Sequence, residues 1–298
     1  MIIADTHNHS YFSTDSEAPL KQMLQGAVDK GLSIYCVTEH MDYKHHIYDQ
    51  RFDPEFEMKG RSKKEIENSF NCDTNAFMKE LFELRDEFKD VLDVRFGMEL
   101  GLQPELADHY ADYVKKYPFD FLIGSCHEAD GLDPYYSLFY KGRTDIEGAR
   151  NYFAKTLECA VKCVECYDSL GHVDYGIRYQ MQDDYVFRYE DYADIFDELL
   201  KFLIKNDKAL EFNSKCFKYF KKEDLPMEQI FKRYKELGGE LITIGSDAHR
   251  VSDIAGHYDE TFELLRRLGF KTYTVYKARH PEVLPLSDIR GAYSPKHR

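Results

Sequence analysis

The stretch "ELITIGSDAH" (residues 240–249) decides the fold, because an apolar run typical of a buried strand is followed directly by an aspartate and a histidine. The first residues of the chain, "MIIADTHNH" (1–9), repeat this arrangement with His7 and His9. One such strand end has little meaning on its own. Several of them would indicate that the predicted strands present ligand-type side chains at one edge of a sheet.

Short apolar runs alternate with longer amphipathic stretches along the chain, which is the pattern of a parallel sheet with crossover helices. Residues 19–31, 74–90 and 189–206 have helical periodicity, and Gly31 and Gly238 lie where helix C-caps are expected. Seven β/α units predict an α/β fold of the barrel type rather than an open sheet. The strand candidates are 1–6, 32–38, 92–98, 119–125, 168–173, 209–213 and 240–245, with a further short strand at 271–276.

Length and composition favour a single domain over residues 1–298, since no repeat, low-complexity tract or linker marks a boundary. The formal net charge of −14 argues against nucleic acid or an anionic membrane as partner, because both bind basic surfaces. The chain has no signal-like start and no apolar run of ~20 residues, so we expect a cytoplasmic protein with reduced thiols. Three of its seven cysteines, Cys159, Cys163 and Cys166, have helical spacing and are expected on a buried helix face.

Nearly every predicted strand ends in an imidazole or carboxylate side chain. In a β/α barrel the C-terminal ends of the strands form one rim, which carries the active site. A lone histidine there is usually an ordinary loop residue and a lone aspartate a helix N-cap, but so many at one rim indicate a functional cluster. The strand ends supply, in chain order, Asp5, His7, His9 and Asp15; Glu39 and His40; Glu99; His127; His172 and Asp174; Asn213 and Lys215; and Asp247 and His249.

Imidazole and carboxylate ligands without thiolates are typical of sites for Zn²⁺, Fe²⁺ or Mn²⁺. His7 and His9 are two positions apart in an extended segment, so they point the same way and can bind one ion together. The candidates exceed what one ion can bind, because a catalytic ion keeps a position open for water or substrate. We therefore expect two or three divalent ions, an arrangement suited to phosphoryl transfer by a metal-activated hydroxide.

These residues form motifs that resemble those of the PHP (polymerase and histidinol phosphatase) superfamily. The motifs occur in order as "HNH" (7–9), "TEHMDY" (38–43), "GMELG" (97–101) followed by "CHE" (126–128) and "GHVDY" (171–175), and "GSDAH" (245–249). The chain is most similar to the monofunctional histidinol-phosphate phosphatases of that superfamily, by its length, by "TEHMDY" and by the long insertion after strand two. The resemblance implies a distorted (β/α)7 TIM-like barrel that hydrolyses L-histidinol phosphate to L-histidinol and phosphate.

The resemblance also implies how the metal ligands are shared. One ion would be held by His7, His9, Glu99 and Asp247, a second by Asp15, His40 and His249, and a third by Glu99, His127 and His172, with Glu99 as the bridge. Glu99 and Asp247 are also expected to be catalytic. Many members of the superfamily have a histidine where this chain has Asp15, whereas the phosphatase branch often has an aspartate there.

Phosphate binding requires N–H donors, which arginine supplies best. Arg178, six residues after His172, is the first candidate for this role, and Arg250 and Arg143 are weaker ones. The alternative for each is an arginine on the solvated surface. Two further candidates for contact with the phosphate or the amino alcohol, at the end of strand six, are Asn213 and Lys215.

The segment 41–73 is too long for an ordinary loop between a strand and a helix. It is polar, aromatic and charged, so we expect a lid or pocket wall over the rim. Its acidic part, residues 49–67, could bind the ammonium group of the substrate, whereas His45 and His46 are expected to be exposed loop residues.

Three functions stay open at this point: the histidinol-phosphate phosphatase, another PHP phosphoesterase acting on phosphotyrosyl protein, a sugar phosphate or a nucleotide, and a non-catalytic metal-binding regulatory barrel. All nine ligand candidates are in place, which disfavours the non-catalytic barrel. Amidohydrolases are the nearest lookalike, but they need a lysine after strand four, where this chain has His127. The sequence contains no indication of an oligomeric state.

Overall fold

Seven parallel strands form one sheet, in the order in which they occur in the chain. The computed structural model describes residues 3–44, 70–179 and 185–286. Hydrogen bonds from Thr6 N to Ile244 O (3.1 Å) and from Asp247 N to His7 O (2.8 Å) join the last strand to the first. The strands are β1 (Ala4–Asp5), β2 (Ile34–Met41), β3 (Asp93–Gly101), β4 (Phe121–Ser125), β5 (Ser169–Leu170), β6 (Ala209–Asn213) and β7 (Ile242–Gly245). The predicted distorted (β/α)7 barrel is confirmed, and the distortion is visible in β1 and β5, which have only two residues each.

Within the described residues, an α-helix follows each barrel strand. The predicted helices are confirmed, except that Tyr189–Tyr192 form a 3₁₀ turn ahead of the fifth helix. Gly31 and Gly238 have φ values of +76° and +91° just after two of the helices, as expected for C-caps. The helices are α1 (Leu20–Asp29), α2 (Thr74–Phe88), α3 (Ala107–Val114), α4 (Asp145–Lys162), α5 (Ala193–Lys205), α6 (Pro226–Glu236) and α7 (Tyr258–Arg267).

A β-hairpin packs against the end of the barrel where the strands begin. It consists of β8 (Thr272–Lys277) and β9 (His280–Pro285), which pair antiparallel in a sheet of their own. The Tyr273 hydroxyl accepts a hydrogen bond from Ala4 N (3.1 Å), and the Tyr276 ring stacks on a phenylalanine of β4 at 5.1 Å. The predicted strand at 271–276 is therefore present, but it does not join the barrel. The sequence pattern does not predict β9, since prolines are unfavourable in strands except at an edge.

The long segment after β2 leaves and re-enters the barrel at one place. Asp42 N donates to Phe70 O (2.9 Å), and Cys72 N donates to His40 O (3.0 Å). The middle of the predicted insertion, which includes His45, His46 and the acidic part at 49–67, lies outside the described residues. Its role as a lid or pocket wall stays a prediction.

One main cluster of buried hydrophobic residues extends from Ile3 to Leu286. All seven cysteines are free and buried. Cys159 lies on the buried face of α4, and Cys163 and Cys166 follow the end of this helix, which agrees with the expected buried positions. None of the described helices is long and apolar enough to cross a membrane.

Candidate metal centre

The nine predicted ligands lie together at the C-terminal rim of the barrel. His40 and Glu99 belong to β2 and β3 themselves and are paired in register, so their side chains point to the same side of the sheet. The other seven lie in the segments that follow β1, β4, β5 and β7. Seven of the nine are buried, whereas Asp15 is exposed and His249 is half-buried. A set of polar side chains this deeply buried requires charge compensation within the site.

Glu99 lies at the middle of the cluster and contacts imidazoles through both of its oxygens. Burial alone would raise the pKa of Glu99, but the surrounding histidines hold it well below its ordinary value. The side chain is therefore a carboxylate that can bridge two ions. Its Oε2 lies 3.2 Å from His7 Nε2, 3.4 Å from His9 Nε2 and 3.1 Å from His40 Nδ1, and its Oε1 lies 2.8 Å from His172 Nε2 and 3.3 Å from His127 Nε2.

Asp247 and Asp15 extend the cluster on the side of His249. Asp247 Oδ1 lies 3.6 Å from His9 Nε2 and 3.4 Å from His249 Nδ1. Asp15 Oδ2 lies 2.9 Å from His249 Nε2 and 3.5 Å from His40 Nε2. The aspartate that stands where many superfamily members have a histidine thus reaches the same neighbours that the resemblance implies.

The donor atoms fit divalent cations. Glu99 Oε2 and His40 Nδ1 are buried and only 3.1 Å apart, yet neither has a hydrogen-bond partner within the described part of the chain. Buried polar atoms are almost always paired, so two such atoms that face each other indicate a shared cation. Four sets of ligand atoms lie within 4.8 Å of one another and could hold an ion: His7, His9 and Asp247; His9, His40 and His249; His7, Glu99 and His172; and His40, Glu99 and His127.

Two carboxylates orient ligand histidines from behind. His7 Nδ1 lies 2.6 Å from Glu211 Oε1, and His127 Nδ1 lies 2.6 Å from Asp42 Oδ2. A carboxylate at Nδ1 holds the ring proton there and leaves the Nε2 lone pair for a metal ion. Neither Glu211 nor Asp42 is among the site residues predicted from the sequence. The available signals were a charged residue inside the apolar strand "ALEFN" and an aspartate inside the quoted motif "TEHMDY".

Glu39 and Asp5, which also end predicted strands, support loops instead of facing the ligands. Glu39 accepts hydrogen bonds from Ser10 N (3.0 Å) and from the Ser13 hydroxyl, and burial raises its pKa to about 7. Asp5 accepts hydrogen bonds from Ser246 N (3.0 Å) and Oγ (2.6 Å), and burial raises its pKa as well. These two carboxyl groups hold in place the loops that follow β1 and β7.

Arg178 is buried and points into the same region. Its guanidinium donates two hydrogen bonds to Asp174, each 2.9 Å long, and a third to Asn213 Oδ1 at 3.1 Å. Its Nη1 lies 3.7 Å from Asp247 Oδ2. Burial alone would lower the pKa of Arg178, but Asp174 raises it above its ordinary value, so the guanidinium stays charged. The predicted phosphate ligand is therefore held in a fixed orientation beside the predicted metal ligands.

Lys215 and Asn213 occupy different positions although they are neighbours in sequence. Lys215 Nζ lies 3.3 Å from Asp247 Oδ1 and 3.5 Å from His249 Nδ1. Asn213 is fully buried, accepts from Arg178 and donates to Asp247 Oδ2 at 3.4 Å. Asn213 therefore acts on the site through these two residues, whereas Lys215 is available to a ligand.

Arg250 and Arg143 do not lie at the cluster of predicted metal ligands. Arg250 is exposed, and it does not line the cavity that opens over the cluster. Arg143 donates to Phe139 O (2.7 Å) and lies 3.7 Å from Asp130. The expectation of a phosphate contact thus finds support in the structure for Arg178 and Lys215 and none for these two arginines.

A cavity of about 390 Å³ opens over the ligand cluster. This volume is in the range of pockets for small-molecule substrates. Arg178 and Lys215 line it together with six of the nine predicted ligands: Asp15, His40, His127, His172, Asp247 and His249. The remainder of its lining consists of Asp42, Phe70, Asp133, Tyr135, Tyr136, Tyr175 and Tyr179.

Comparison with known proteins gives consistent matches over most of the chain. The model of the PHP domain family matches residues 5–215. A probable histidinol-phosphatase of Clostridium acetobutylicum is 31% identical over 271 residues, which are 91% of this chain and 95% of the relative. The histidinol-phosphatase of Lactococcus lactis subsp. lactis is 30% identical over 271 residues, which are 89% of this chain and 91% of the relative.

A solved structure matches the fold over nearly its full length. It is the crystal structure of histidinol phosphate phosphatase from Lactococcus lactis subsp. lactis complexed with zinc, L-histidinol and phosphate. The TM-score is 0.76 at 28% sequence identity, and the match covers 94% of this chain and 98% of that chain.

Proposed function

The chain belongs to the PHP domain family, and from this premise we propose that it is a metal-dependent phosphomonoesterase that hydrolyses L-histidinol phosphate to L-histidinol and phosphate. The observation that carries the proposal is a single cavity in which imidazole and carboxylate ligands meet the buried guanidinium of Arg178. Two relatives at 31% and 30% identity are histidinol-phosphatases, one of them termed probable. The similar crystal structure contains zinc, L-histidinol and phosphate.

The proposed cofactor is a set of two or three divalent ions, with zinc, iron and manganese as the candidates. Such ions, when bound, supply an activated water as nucleophile and neutralise charge on the phosphoryl oxygens. Glu99 is the proposed bridge, because its two oxygens contact imidazoles that belong to different ligand sets. Glu99 and Asp247 are the proposed catalytic carboxylates, since both lie among the histidines at which the ions would bind.

The division of the ligands among the ions is also a proposal. The set that the resemblance implies for the first ion shares His7, His9 and Asp247 with one of the four sets found in the structure. The set implied for the second ion shares His40 and His249 with another. In the geometry, however, His7, His9 and His40 each belong to two sets. The set around Asp15 is supported by its 2.9 Å distance to His249 and its 3.5 Å distance to His40.

Arg178 and Lys215 are the proposed phosphate ligands of the chain itself. The Arg178 fork is already oriented by Asp174, so little conformational entropy is lost when phosphate binds. The Lys215 ammonium adds a second positive charge on the side of Asp247. Both groups orient the phosphoryl oxygens and stabilise the negative charge that they carry in the transition state.

Beyond the site, we propose that residues 1–298 form one barrel domain and that the enzyme acts in the cytoplasm on a small phosphorylated substrate. The main hydrophobic core, which extends from Ile3 to Leu286, supports a single domain. Seven free, buried cysteines agree with a reducing compartment. The net charge of −14 opposes nucleic acid and anionic membranes as partners.

The test is phosphate release from L-histidinol phosphate by protein reconstituted in turn with Zn²⁺, Mn²⁺ and Fe²⁺. We expect kcat/KM of roughly 10⁴ M⁻¹s⁻¹ or more, far above the value for p-nitrophenyl phosphate. Activity on the aryl phosphate alone would retain the phosphoesterase site and favour another PHP phosphoesterase. Inactivity on both substrates with metals bound would favour the non-catalytic metal-binding barrel.

A further inference from the structure

The hydroxyl group of Ser13 lies between two predicted metal ligands and a buried carboxylate. Ser13 Oγ is 3.2 Å from His9 Nδ1 and 2.5 Å from Glu39 Oε2. It is also 3.0 Å from the backbone N of His40. We propose, on the basis of the metal centre in the proposed function, that Glu39 and Ser13 form a hydrogen-bond relay that fixes the ring proton of His9 on Nδ1. Both are positioning residues, because they act on a bound ion only through His9.

The single proton of the Ser13 hydroxyl decides the direction of these contacts. The backbone N–H of His40 can only donate, so it occupies one lone pair of Ser13 Oγ. The 2.5 Å contact with Glu39 has the length of a hydrogen bond from a hydroxyl to a carboxylate, so the Ser13 proton is directed to Glu39. The second lone pair of Oγ then faces His9 Nδ1. This ring nitrogen must therefore be the one that carries the proton.

Glu39 is held as an acceptor by further donors. Ser10 N donates to both carboxylate oxygens, at 3.0 and 3.1 Å, and the Ser10 hydroxyl donates to Oε1. An ionised carboxylate has acceptor sites only, so it suits a position that faces a backbone N–H and two hydroxyl groups. Glu39 is completely buried and belongs to β2, whereas Ser10 and Ser13 follow β1. The relay thus depends on two neighbouring segments of the barrel.

The relay directs the other ring nitrogen of His9 to the predicted metal centre. With the proton on Nδ1, Nε2 keeps its lone pair, and it lies 3.1 Å from His7 Nε2 and 3.4 Å from Glu99 Oε2. The opposite tautomer would place a proton where the ion has to bind. His7 receives its orientation directly from Glu211, whereas His9 receives the same orientation through a hydroxyl group that is bound to a carboxylate.

The test is the ring tautomer of His9 in the metal-free protein, measured by ¹⁵N NMR of protein with labelled histidine. Protonated and unprotonated nitrogens of a neutral imidazole have well-separated ¹⁵N shifts, and the signals lost in His9→Asn are those of His9. At about pH 8.5 Glu39 is ionised, because burial raises its pKa only to about 7. The wild-type protein should carry the His9 proton on Nδ1. A proton on Nε2 would overturn the proposal, and this measurement needs no variant of the relay to fold.

Glu39→Gln should reverse the relay while it retains the shape of the side chain. The glutamine NH₂ group can donate to Ser13 Oγ, so the hydroxyl proton turns to His9 Nδ1 and the ring proton moves to Nε2. We expect the opposite tautomer and an affinity for Zn²⁺ that is about 10- to 100-fold lower, measured at buffered free Zn²⁺. The matched control is Glu17→Gln, which changes an exposed glutamate in the same loop as Ser13 and should retain both properties.

The tautomer distinguishes the relay from a purely structural role of Glu39. Lower zinc affinity in Glu39→Gln with the proton still on Nδ1 would overturn the proposal, because Glu39 would then act only on the fold. Unchanged zinc affinity would overturn it too. Ser13→Ala is a second variant, which removes the acceptor of the Nδ1 proton. We expect it to give a mixture of tautomers and about ten-fold weaker zinc binding, and an unchanged single tautomer would contradict the relay.

Failure of the proposed function is distinguishable from failure of the relay. It would appear as inactivity of the metal-loaded wild-type protein on L-histidinol phosphate. The tautomer of His9 and the zinc affinity are both measured without substrate, so each inference has its own result.

Discussion

Each ring nitrogen of His7 lies close to a buried carboxylate. Nε2 faces Glu99 at 3.2 Å, whereas Nδ1 lies 2.6 Å from Glu211 Oε1. Burial alone would raise the pKa of Glu211, but His7 lowers it below its ordinary value, so the pair behaves as a carboxylate that holds the Nδ1 proton. The tautomer that metal binding requires thus depends on one side chain that does not itself reach the centre.

We predict that Glu211→Gln lowers the affinity for divalent metal by about 10- to 100-fold without unfolding the barrel. A glutamine amide can donate to Nδ1, which would place the ring proton on Nε2, where the metal has to bind. Metal content after dialysis against buffered free Zn²⁺ gives the affinity, and circular dichroism reports on the fold. The matched control is Glu198→Gln on the exposed face of α5, which should bind metal like the wild type. Unchanged affinity in Glu211→Gln would contradict the orienting role.

At the scale of elements, the site depends on how closely β7 approaches the segment after β1. Gly245 ends β7, and a Cβ atom added there would lie 2.3 Å from His7 Cβ and 2.7 Å from Glu211 Oε1. Real Cβ atoms essentially never approach so closely. Glycine is therefore required at position 245 because there is no space for a side chain. At Gly31, after α1, an added Cβ would have nothing within 4 Å, and glycine is favoured there because φ is +76°.

The two glycines allow a matched pair of substitutions. We predict that Gly245→Ala abolishes metal binding and activity, because His7 and Glu211 must move. Gly31→Ala should cost only about 1 kcal/mol of the free energy of unfolding, from the strained left-handed backbone, and should retain activity. Urea unfolding and phosphate release measure the two effects. Equal activity in both variants would show that the contact at Gly245 is not critical.

A second element-scale prediction concerns the contact between α5 and α6. Arg233 donates to both carboxylate oxygens of Asp197 (2.8 and 2.7 Å), and these hydrogen bonds hold the pKa of Asp197 well below its ordinary value. A folded-state pKa below the unfolded value stabilises the protein above about pH 4, and this stabilisation is lost as the pH falls further. Asp197→Asn should therefore lower the thermal midpoint by a few degrees at neutral pH.

The pH dependence distinguishes this contact from simple packing. The difference in midpoint between wild type and Asp197→Asn should shrink as the pH falls below about 4, because the wild-type carboxylate then becomes protonated. Differential scanning calorimetry over this range measures the midpoints, with Glu198→Gln on the same helix as control. A difference that is constant with pH would mean that the ion pair is not its source.

At the scale of the whole molecule, the predicted ligands connect distant parts of the chain. They come from six of the seven barrel strands or the loops that follow them, and extend from His7 to His249. Several of them are buried with their neighbours at hydrogen-bond distance, so the centre contributes to the closure of the barrel as well as to chemistry. Ions bound there would favour the folded state, since the unfolded chain does not hold these ligands together.

We predict that a chelator abolishes activity and lowers the thermal midpoint, and that Zn²⁺, Mn²⁺ or Fe²⁺ restores both. At a free metal concentration of 100 times Kd, one site adds about 2.7 kcal/mol to the free energy of unfolding. Thermal scans at a series of buffered metal concentrations measure this dependence. Mg²⁺ is the control, because it prefers oxygen ligands and should restore little. A midpoint that does not change with zinc would contradict a metal centre that spans the barrel.

The sequence by itself determined the barrel and the identity of the candidate ligands. Apolar runs that alternate with amphipathic stretches predicted all seven barrel strands, because burial of a parallel sheet between helices imposes that local pattern. The ligands were recognisable because parallel strands all end at one rim, so a residue just after a strand, such as Asp247 or His172, has a known location. Both inferences depend only on the pattern of residues that are close together along the chain.

Only the tertiary structure shows which side chains support the predicted ligands, which ones line the cavity and which ones lie away from it. Glu211 is 204 positions away from His7, and no local pattern reports that their side chains are 2.6 Å apart. The burial of Asn213, the exposure of Arg250 and the position of Asp133 in the cavity also depend on how separate elements pack. The physical reason is the same in each case: hydrogen bonding and burial act between groups that are close in space, whereas the sequence records only proximity along the chain.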